Sequence, residues 1–377
     1  MIEVHDGKRF SIGEAEFVSD TQQSDNPEKK AHTKIARAER EVFSDAQERF
    51  NATLEQQGLE FVDELENGYR YPSVDAWIES QLDNGRYTRY YPAFVRNSES
   101  RELFFVKARI QSNSRIEFGG LANEGNVLQY LPKEAPIAHF VNYIPEDEKG
   151  TTLEMLVLKA VKVSEGSVFP AKEWTSAQGE HVAKEIKKLE KIEMSTLPEL
   201  SQEPAISLRA ILELAQATLS PDFRAQVDTI IQAYEPQMSP VLIHGDTWIK
   251  NIIVSRNPDQ AKTVFVDWER GGAGYRGQDI ARLWWNLWEN PDIREVIAKS
   301  YLNETDEISR GKRADALKFG VMFEALRWIA DRNDQLKRNP AEAMLRKLES
   351  EIILVQQKAQ AMIDAVTKHE DTNYIAA

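Results

Sequence analysis

The sequence predicts an α+β protein with a small β-rich N-terminal lobe, a larger and mostly helical C-terminal lobe, and a helical extension ahead of both. Three observations carry this expectation. Between residues 69 and 162, short runs rich in aromatic and β-branched residues are separated by polar breaks, as in paired strands. From residue 163 to 377, apolar residues recur mainly at helical spacing. Within residues 1–68, Val42, Ala46, Phe50 and Leu54 repeat every four residues and mark an amphipathic helix.

Taken in order, the first 34 residues are polar, and Ser19–Lys30 (SDTQQSDNPEKK) reads as a loop or linker. A helix is expected over Ile35–Leu65, with its apolar stripe packed on the next domain. Tyr87–Arg96 and Glu102–Ile110 are strand candidates joined by Asn97-Ser98-Glu99-Ser100, a hairpin connection. Leu121–Leu131 reads as a helix stopped by Pro132, and Ile137–Ile144 and Leu153–Val163 read as further strands. Helices are then expected over Ala177–Ile192, Ala205–Leu219, Phe223–Tyr234, Asp279–Trp288 and Arg313–Asp331. The last helix places Leu345, Leu348, Ile352, Val355, Ala359, Met362 and Val366 three and four apart, which fits a core-packing terminal helix or a coiled-coil dimer.

Lys and Arg total 47 against 61 Asp and Glu, a formal net charge of −14. This opposes binding to nucleic acid or to an anionic membrane, both of which are polyanions. A local pocket can still take a phosphorylated ligand. The chain has no cysteine, which excludes disulfides, thiolate catalysis and Cys-ligated metals. The N-terminus has no basic or apolar signal region, and no apolar run reaches the roughly 18 residues of a membrane span. A soluble cytoplasmic protein without nucleic-acid or membrane partners is expected; oligomeric state stays open.

Chemistry concentrates in Val241–Ala281. The apolar run Val241-Leu242-Ile243 leads into His244-Gly245-Asp246, and Asn251 follows five residues after that aspartate. Two strands come next, Ile252–Val254 and Val264–Val266, and the second ends on Asp267. Joined by a short polar turn, they should pair antiparallel, which would make Asn251 and Asp267 neighbours with Asp246 on the loop feeding them. Few hard oxygen ligands with open positions suit Mg²⁺ bridging substrate phosphates. Asp246 would remain to accept a proton from an attacking hydroxyl. Singly, each of these residues is also an ordinary choice for a turn at a strand end.

The run H-G-D-x-x-x-x-N, two short strands and D-W-E, followed by Asp279-Ile280-Ala281, resembles the aminoglycoside phosphotransferase/choline kinase-like family. The resemblance implies a bilobal protein-kinase-like fold that uses ATP or GTP with Mg²⁺ to phosphorylate a hydroxyl of a small molecule, with an aminoglycoside or other amino/hydroxyl compound among the acceptors. It implies Asp246 as catalytic base, Asn251 and Asp267 as metal ligands, and Asp279 as a brace for the catalytic loop, although a helix-capping role would also explain Asp279. His244 would support the loop. Upstream, Phe104–Ala108 is similar to the strand whose lysine, here Lys107, meets the nucleotide phosphates. Glu124 is similar to the acid that pairs with it, with Glu117 as runner-up. Leu156–Val161 would be the hinge that meets the nucleotide base, with Leu158 and Ala160 as nucleotide contacts.

The chain departs from the pattern in two places. No G-x-G-x-x-G run marks a phosphate-covering loop, and Thr247-Trp248-Ile249-Lys250 stands where many relatives have Leu-His-Pro-Gly. For the acceptor, Glu269, Trp284 and Trp288 are candidate contacts, since aromatics and carboxylates suit a cationic molecule. Tryptophans in such a helix are also ordinary core residues. An inactive pseudokinase serving as a nucleotide-binding module is the alternative reading.

Overall fold

A computed structural model describes residues 3–5, 8–10, 43, 45–65, 70–83, 90–110, 120–132, 135–160, 174–204, 207–255, 263–337 and 342–374. The chain divides into two compact units, Met1–Gln129 with Ile137–Glu165, and Tyr130–Pro136 with Gly166–Ala377.

The first unit opens with a small antiparallel hairpin, β1 (Glu3–His5) and β2 (Lys8–Phe10). Helix α1 (Ala46–Gln56) is shorter than the expected helix, because Gly58 turns the chain at φ +61 into β3 (Leu59–Phe61). Helix α2 (Val74–Asp83) has no counterpart among the helices expected from the sequence. Its signals are short but present: the Ser73 hydroxyl accepts from Ala76 N at 3.2 Å, and Val74 and Ile78 are buried one turn apart.

β4 (Tyr90–Asn97) and β5 (Leu103–Arg109) form the expected hairpin, turned by the Asn97 side chain, which accepts from the N–H groups of Glu99 and Ser100. Helix α3 (Leu121–Tyr130) and strands β6 (Phe140–Ile144) and β7 (Met155–Lys159) complete the unit. The five strands run antiparallel in the order β3-β4-β5-β7-β6. Along β5, Phe104, Val106 and Ala108 are buried while Phe105 and Lys107 lie on the other face, half-buried. The buried face meets Phe50 and Leu54 of α1 in one core, where the Phe50 ring sits edge-on to Tyr91 at 5.1 Å. The apolar stripe of α1 is covered by this sheet.

The second unit is mostly helical: α4 (Ser176–Leu189), α5 (Leu208–Ala215), α6 (Pro221–Tyr234), then β8 (Val241–Ile243), β9 (Ile252–Val254), β10 (Thr263–Phe265) and β11 (Gly272–Gly274). Four helices follow: α7 (Gln278–Asn286), α8 (Pro291–Leu302), α9 (Glu307–Lys337) and α10 (Glu342–Tyr374). A Thr175/Gln178 capping box starts α4. Helix α8 is likewise absent from the expected helices; Asn290 caps it ahead of Pro291 in the first turn. β8 pairs with β11 and β9 with β10, both antiparallel.

Helix α9 is the centre of this unit, with Leu317, Phe319, Val321, Phe323, Leu326 and Ile329 all buried. Its partner α10 buries Leu348, Ile352, Ala359, Met362 and Val366, so the heptad-like stripe packs within the chain. The start of α7 crosses α9 almost backbone to backbone. A Cβ on Gly277 would lie 1.8 Å from the Ala316 carbonyl oxygen, and one on Gly320 would lie 2.0 Å from that of Gly277. Gly277 also has φ +85, so only glycine fits. Its N–H donates to the buried Glu190 carboxylate at 2.7 Å, which Tyr301 Oη also meets at 2.8 Å, with Arg313 as countercharge. Helix α7 is thereby fixed against α9 and against Glu190 at the end of α4.

Candidate active site

Leaving β8, the chain turns at Gly245, with φ +73 and the Arg270 carbonyl oxygen 2.3 Å from where a Cβ would stand. This irregular backbone has no strand partner, and its donors are met by a side chain. Asp279, second residue of α7, accepts from His244 N at 2.6 Å and from Gly245 N at 2.9 Å, one on each carboxylate oxygen. Its own carbonyl accepts from the Thr247 hydroxyl at 2.6 Å. The N-cap position belongs to Gly277, so Asp279 is not the cap of its helix. Burial pushes the Asp279 carboxyl up to about 7, against the pull of the two backbone donors.

His244 is fully buried. Its Nε2 meets the Val266 carbonyl at 2.9 Å and its Nδ1 accepts from Asp246 N at 3.2 Å. Burial lowers its pKa to about 4, so the ring is neutral near pH 7 and fastens two stretches of backbone.

Asp246 is 8% exposed. Asn251 Nδ2 donates both to its carbonyl at 2.9 Å and to its Oδ2 at 3.2 Å. Its Oδ1 is ion-paired with Arg282 Nη2. Arg282 Nη1 reaches Glu324 Oε2 of α9 at 3.1 Å, and Arg327 Nη1 stands 3.5 Å from the other Glu324 oxygen. The Arg282 guanidinium lies 5.5 Å from the Trp248 ring. Arg282 was not among the residues singled out from the sequence. Its signal is positional: three residues after Asp279, it shares that residue's helix face.

The β9–β10 register pairs Ile252 with Phe265, and Val266 N donates to Asn251 O at 3.0 Å. Val266, rather than Asp267, is therefore opposite Asn251. The pairing is one residue out from the expected one, because β10 begins at Thr263 and ends at Phe265. Asp267 comes next with φ +69, a left-handed conformation that redirects the chain after the strand. The fully buried Trp268 anchors this turn by donating to Phe265 O at 3.0 Å.

In the first unit, Lys107 Nζ pairs with Glu124 Oε2 at 3.1 Å and lies 4.6 Å over the Tyr90 ring. Glu124, in the first turn of α3, is 1% exposed. Leu158 is buried in β7, paired with Phe105, and Ala160 follows the strand, half-buried against the Tyr71 and Phe94 cluster. Glu117 and Val161 lie outside the described residues.

The sequence model of the phosphotransferase enzyme family (APH) matches residues 93–311, more than half of the chain. The chain belongs to this family. The match opens within β4 and closes within α9, so it covers Lys107 and Glu124 in the first unit and residues 244–282 in the second, while Glu324 and Arg327 lie beyond it. No curated protein matches the chain. Among solved structures, the phosphotransferase is similar to an ethanolamine kinase of Plasmodium vivax at 11% identity, covering 90% of this chain and 92% of that one with a TM-score of 0.48. A choline/ethanolamine kinase family protein of Mesorhizobium loti is 13% identical, with 72% and 88% covered and a TM-score of 0.47. An aminoglycoside phosphotransferase of Alicyclobacillus acidocaldarius is 11% identical, with 76% and 93% covered and a TM-score of 0.45.

The phosphotransferase uses its tryptophans differently from the expected acceptor contacts. Trp284 is 2% exposed and its indole N–H donates to the Arg294 carbonyl at 2.8 Å, so it is a core residue. Trp288 lies beyond the end of α7, with Arg294 4.7 Å and Lys358 4.8 Å from its ring, so cations of the chain already occupy it. Glu269 is half-buried in the turn after Asp267. Among the described residues, no group of three or more His, Asp or Glu side chains forms a metal cluster. Asn251 spends both amide hydrogens on Asp246, which leaves its carbonyl oxygen as the group for a cation. A cation held there would take that oxygen and the Asp267 carboxylate, hard donors of the kind that suits an ion keeping several waters.

Proposed function

We propose that the protein is a small-molecule kinase that transfers the γ-phosphoryl group of ATP or GTP to a hydroxyl of a small acceptor. The observation that carries this reading is the Asp246 carboxylate, buried, held on both oxygens and mounted on a loop tied to α7 through Asp279. In this reading Asp246 takes the acceptor hydroxyl proton as the new O–P bond forms and the bond to the β-phosphate breaks; the proton then passes to solvent. Asn251 and Asp267 would hold Mg²⁺, which neutralises charge on the nucleotide phosphates. Lys107, kept in place by Glu124, supplies a fixed cation to the phosphates, and the strand end at Leu158 and Ala160 supplies backbone groups to the base.

The test is Asp246→Asn, which keeps the shape and removes the basic carboxylate. Mg·ATP affinity should change less than about tenfold, while turnover should fall by roughly 10² or more. A screen of hydroxylated metabolites and aminoglycosides for acceptor-dependent ADP release identifies the acceptor. Asp246→Asn turning over within a few-fold of wild type would sink the proposal.

A further inference from the structure

We infer that Arg282, itself held by Glu324, is the positioning residue that fixes the Asp246 carboxylate for proton transfer; the inference rests on the reading of Asp246 as the base. A carboxylate on a loop rotates about its Cβ–Cγ bond, and a base that rotates loses the orientation an acceptor hydroxyl needs. Here one oxygen is met by Asn251 at 3.2 Å and the other by Arg282, so rotation is stopped from both sides. The two anchors come from different elements, the turn before β9 and the middle of α7.

Helix α7 thus serves the loop twice on one face. Asp279 takes the backbone N–H groups of His244 and Gly245, and Arg282, one turn later, takes the side chain of the following residue. Arg282 also spans the gap to Glu324 at 3.1 Å on the central helix α9, and both side chains are desolvated, at 6% and 1% exposure. A guanidinium can make this bridge because its fork offers separate nitrogens to two carboxylates at once; an ammonium cannot reach both in the same geometry. Charges in the group balance: Asp246 and Glu324 against Arg282 and Arg327. Because Glu324 shares the Arg282 guanidinium, Asp246 is held by a cation whose charge is partly taken up by a second carboxylate.

Trp248 belongs to the same device. It lies in the stretch Thr247–Lys250 where this chain departs from its relatives' pattern, and its ring is 5.5 Å from the Arg282 guanidinium. A purely structural role for the cluster is the competing account; against it, a buried ion pair adds little to stability over apolar residues of the same size.

A double-mutant cycle separates the accounts. Wild type, Arg282→Lys, Asp246→Asn and the double variant are compared by Mg·ATP affinity, melting temperature and Mg·ATP turnover, with an acceptor from the screen or with water as the slow acceptor. Arg282→Lys keeps the buried charge and should fold with Mg·ATP affinity within about threefold of wild type, yet lose tenfold or more in kcat. In the Asp246→Asn background the same substitution should cost less than about twofold, because the group it positions is gone. Arg282→Gln with Glu324→Gln, which removes both charges together, should also fold and lose at least as much in kcat. Wild-type kcat in Arg282→Lys overturns the inference, as does an equal loss in both backgrounds, or a rise in acceptor KM alone. If Asp246→Asn slows turnover and Arg282→Lys does not, only the inference falls; if wild type shows no Asp246-dependent turnover, the proposed function falls and takes it along.

Discussion

Asp246 sits on a loop tied at His244, Gly245 and Thr247 to a single residue of α7, whereas Lys107 stands on a regular strand and pairs with the Glu124 carboxylate at 3.1 Å. The difference follows from the backbone. Residues 103–109 satisfy their own N–H and C=O groups by pairing with β4 and β7, so the Lys107 side chain needs only to be aimed. The turn at 244–247 has no ladder, and its buried donors must be met by Asp279 and by the His244 ring. A charged group on a strand can therefore be altered with the fold intact. One on such a loop is coupled to the packing of a helix.

The contrast is sharpest at Asp279. Asp279→Asn offers one acceptor oxygen where two are used and turns an amide toward a backbone N–H, so the protein should lose about 3 kcal/mol of stability together with most of its turnover. Urea denaturation and ADP release on the same preparation check this. Retained stability with lost activity would mean that the tie serves catalysis without holding the fold.

His244 adds a pH-dependent difference. Its folded pKa of about 4 lies below the ordinary histidine value, so the folded state binds fewer protons than the unfolded chain between those values. Its contribution is present above about pH 6.5 and is lost as pH falls toward 4. The stability advantage of wild type over His244→Asn should shrink by up to about 3 kcal/mol across that window, measured by denaturation at several pH values. An advantage that does not change with pH would place the ring's protonation elsewhere.

Gly245→Ala should cost about 2 kcal/mol, because the new methyl meets the Arg270 carbonyl oxygen and the backbone conformation is left-handed. The smallest effect on stability belongs to the strand. Lys107→Met with Glu124→Gln, removing both charges of the pair, should melt close to wild type while weakening Mg·ATP binding by about tenfold, or 1.4 kcal/mol. A large fall in melting temperature would erase the contrast between loop and strand.

Much of this architecture was legible along the chain, in specific places. The β4–β5 hairpin is legible in its aromatic and β-branched runs and in the polar connection at Asn97–Ser100, α3 in its apolar spacing and in Pro132, and the terminal helix in the stripe from Leu345 to Val366. Helices α2 and α8 were passed over because each is ten to twelve residues long with brief caps and sits beside aromatic-rich stretches. The one-residue slip at Asn251 reflects the limit of pattern alone, since apolar runs do not state which of their residues is the last to pair.

Residue types and spacings by themselves determined which side chains lie in the H-G-D-x-x-x-x-N and D-W-E runs and that two short strands separate them, because strand and turn chemistry act between near neighbours. Only the tertiary structure decided that Arg282 stands between Asp246 and Glu324, that Trp284 is core and Trp288 is already occupied, and that α7 crosses α9 through Gly277 and Gly320. Those facts depend on where helices far apart in the chain meet. Close packing sets such contacts to tenths of an ångström, and no local preference carries that information.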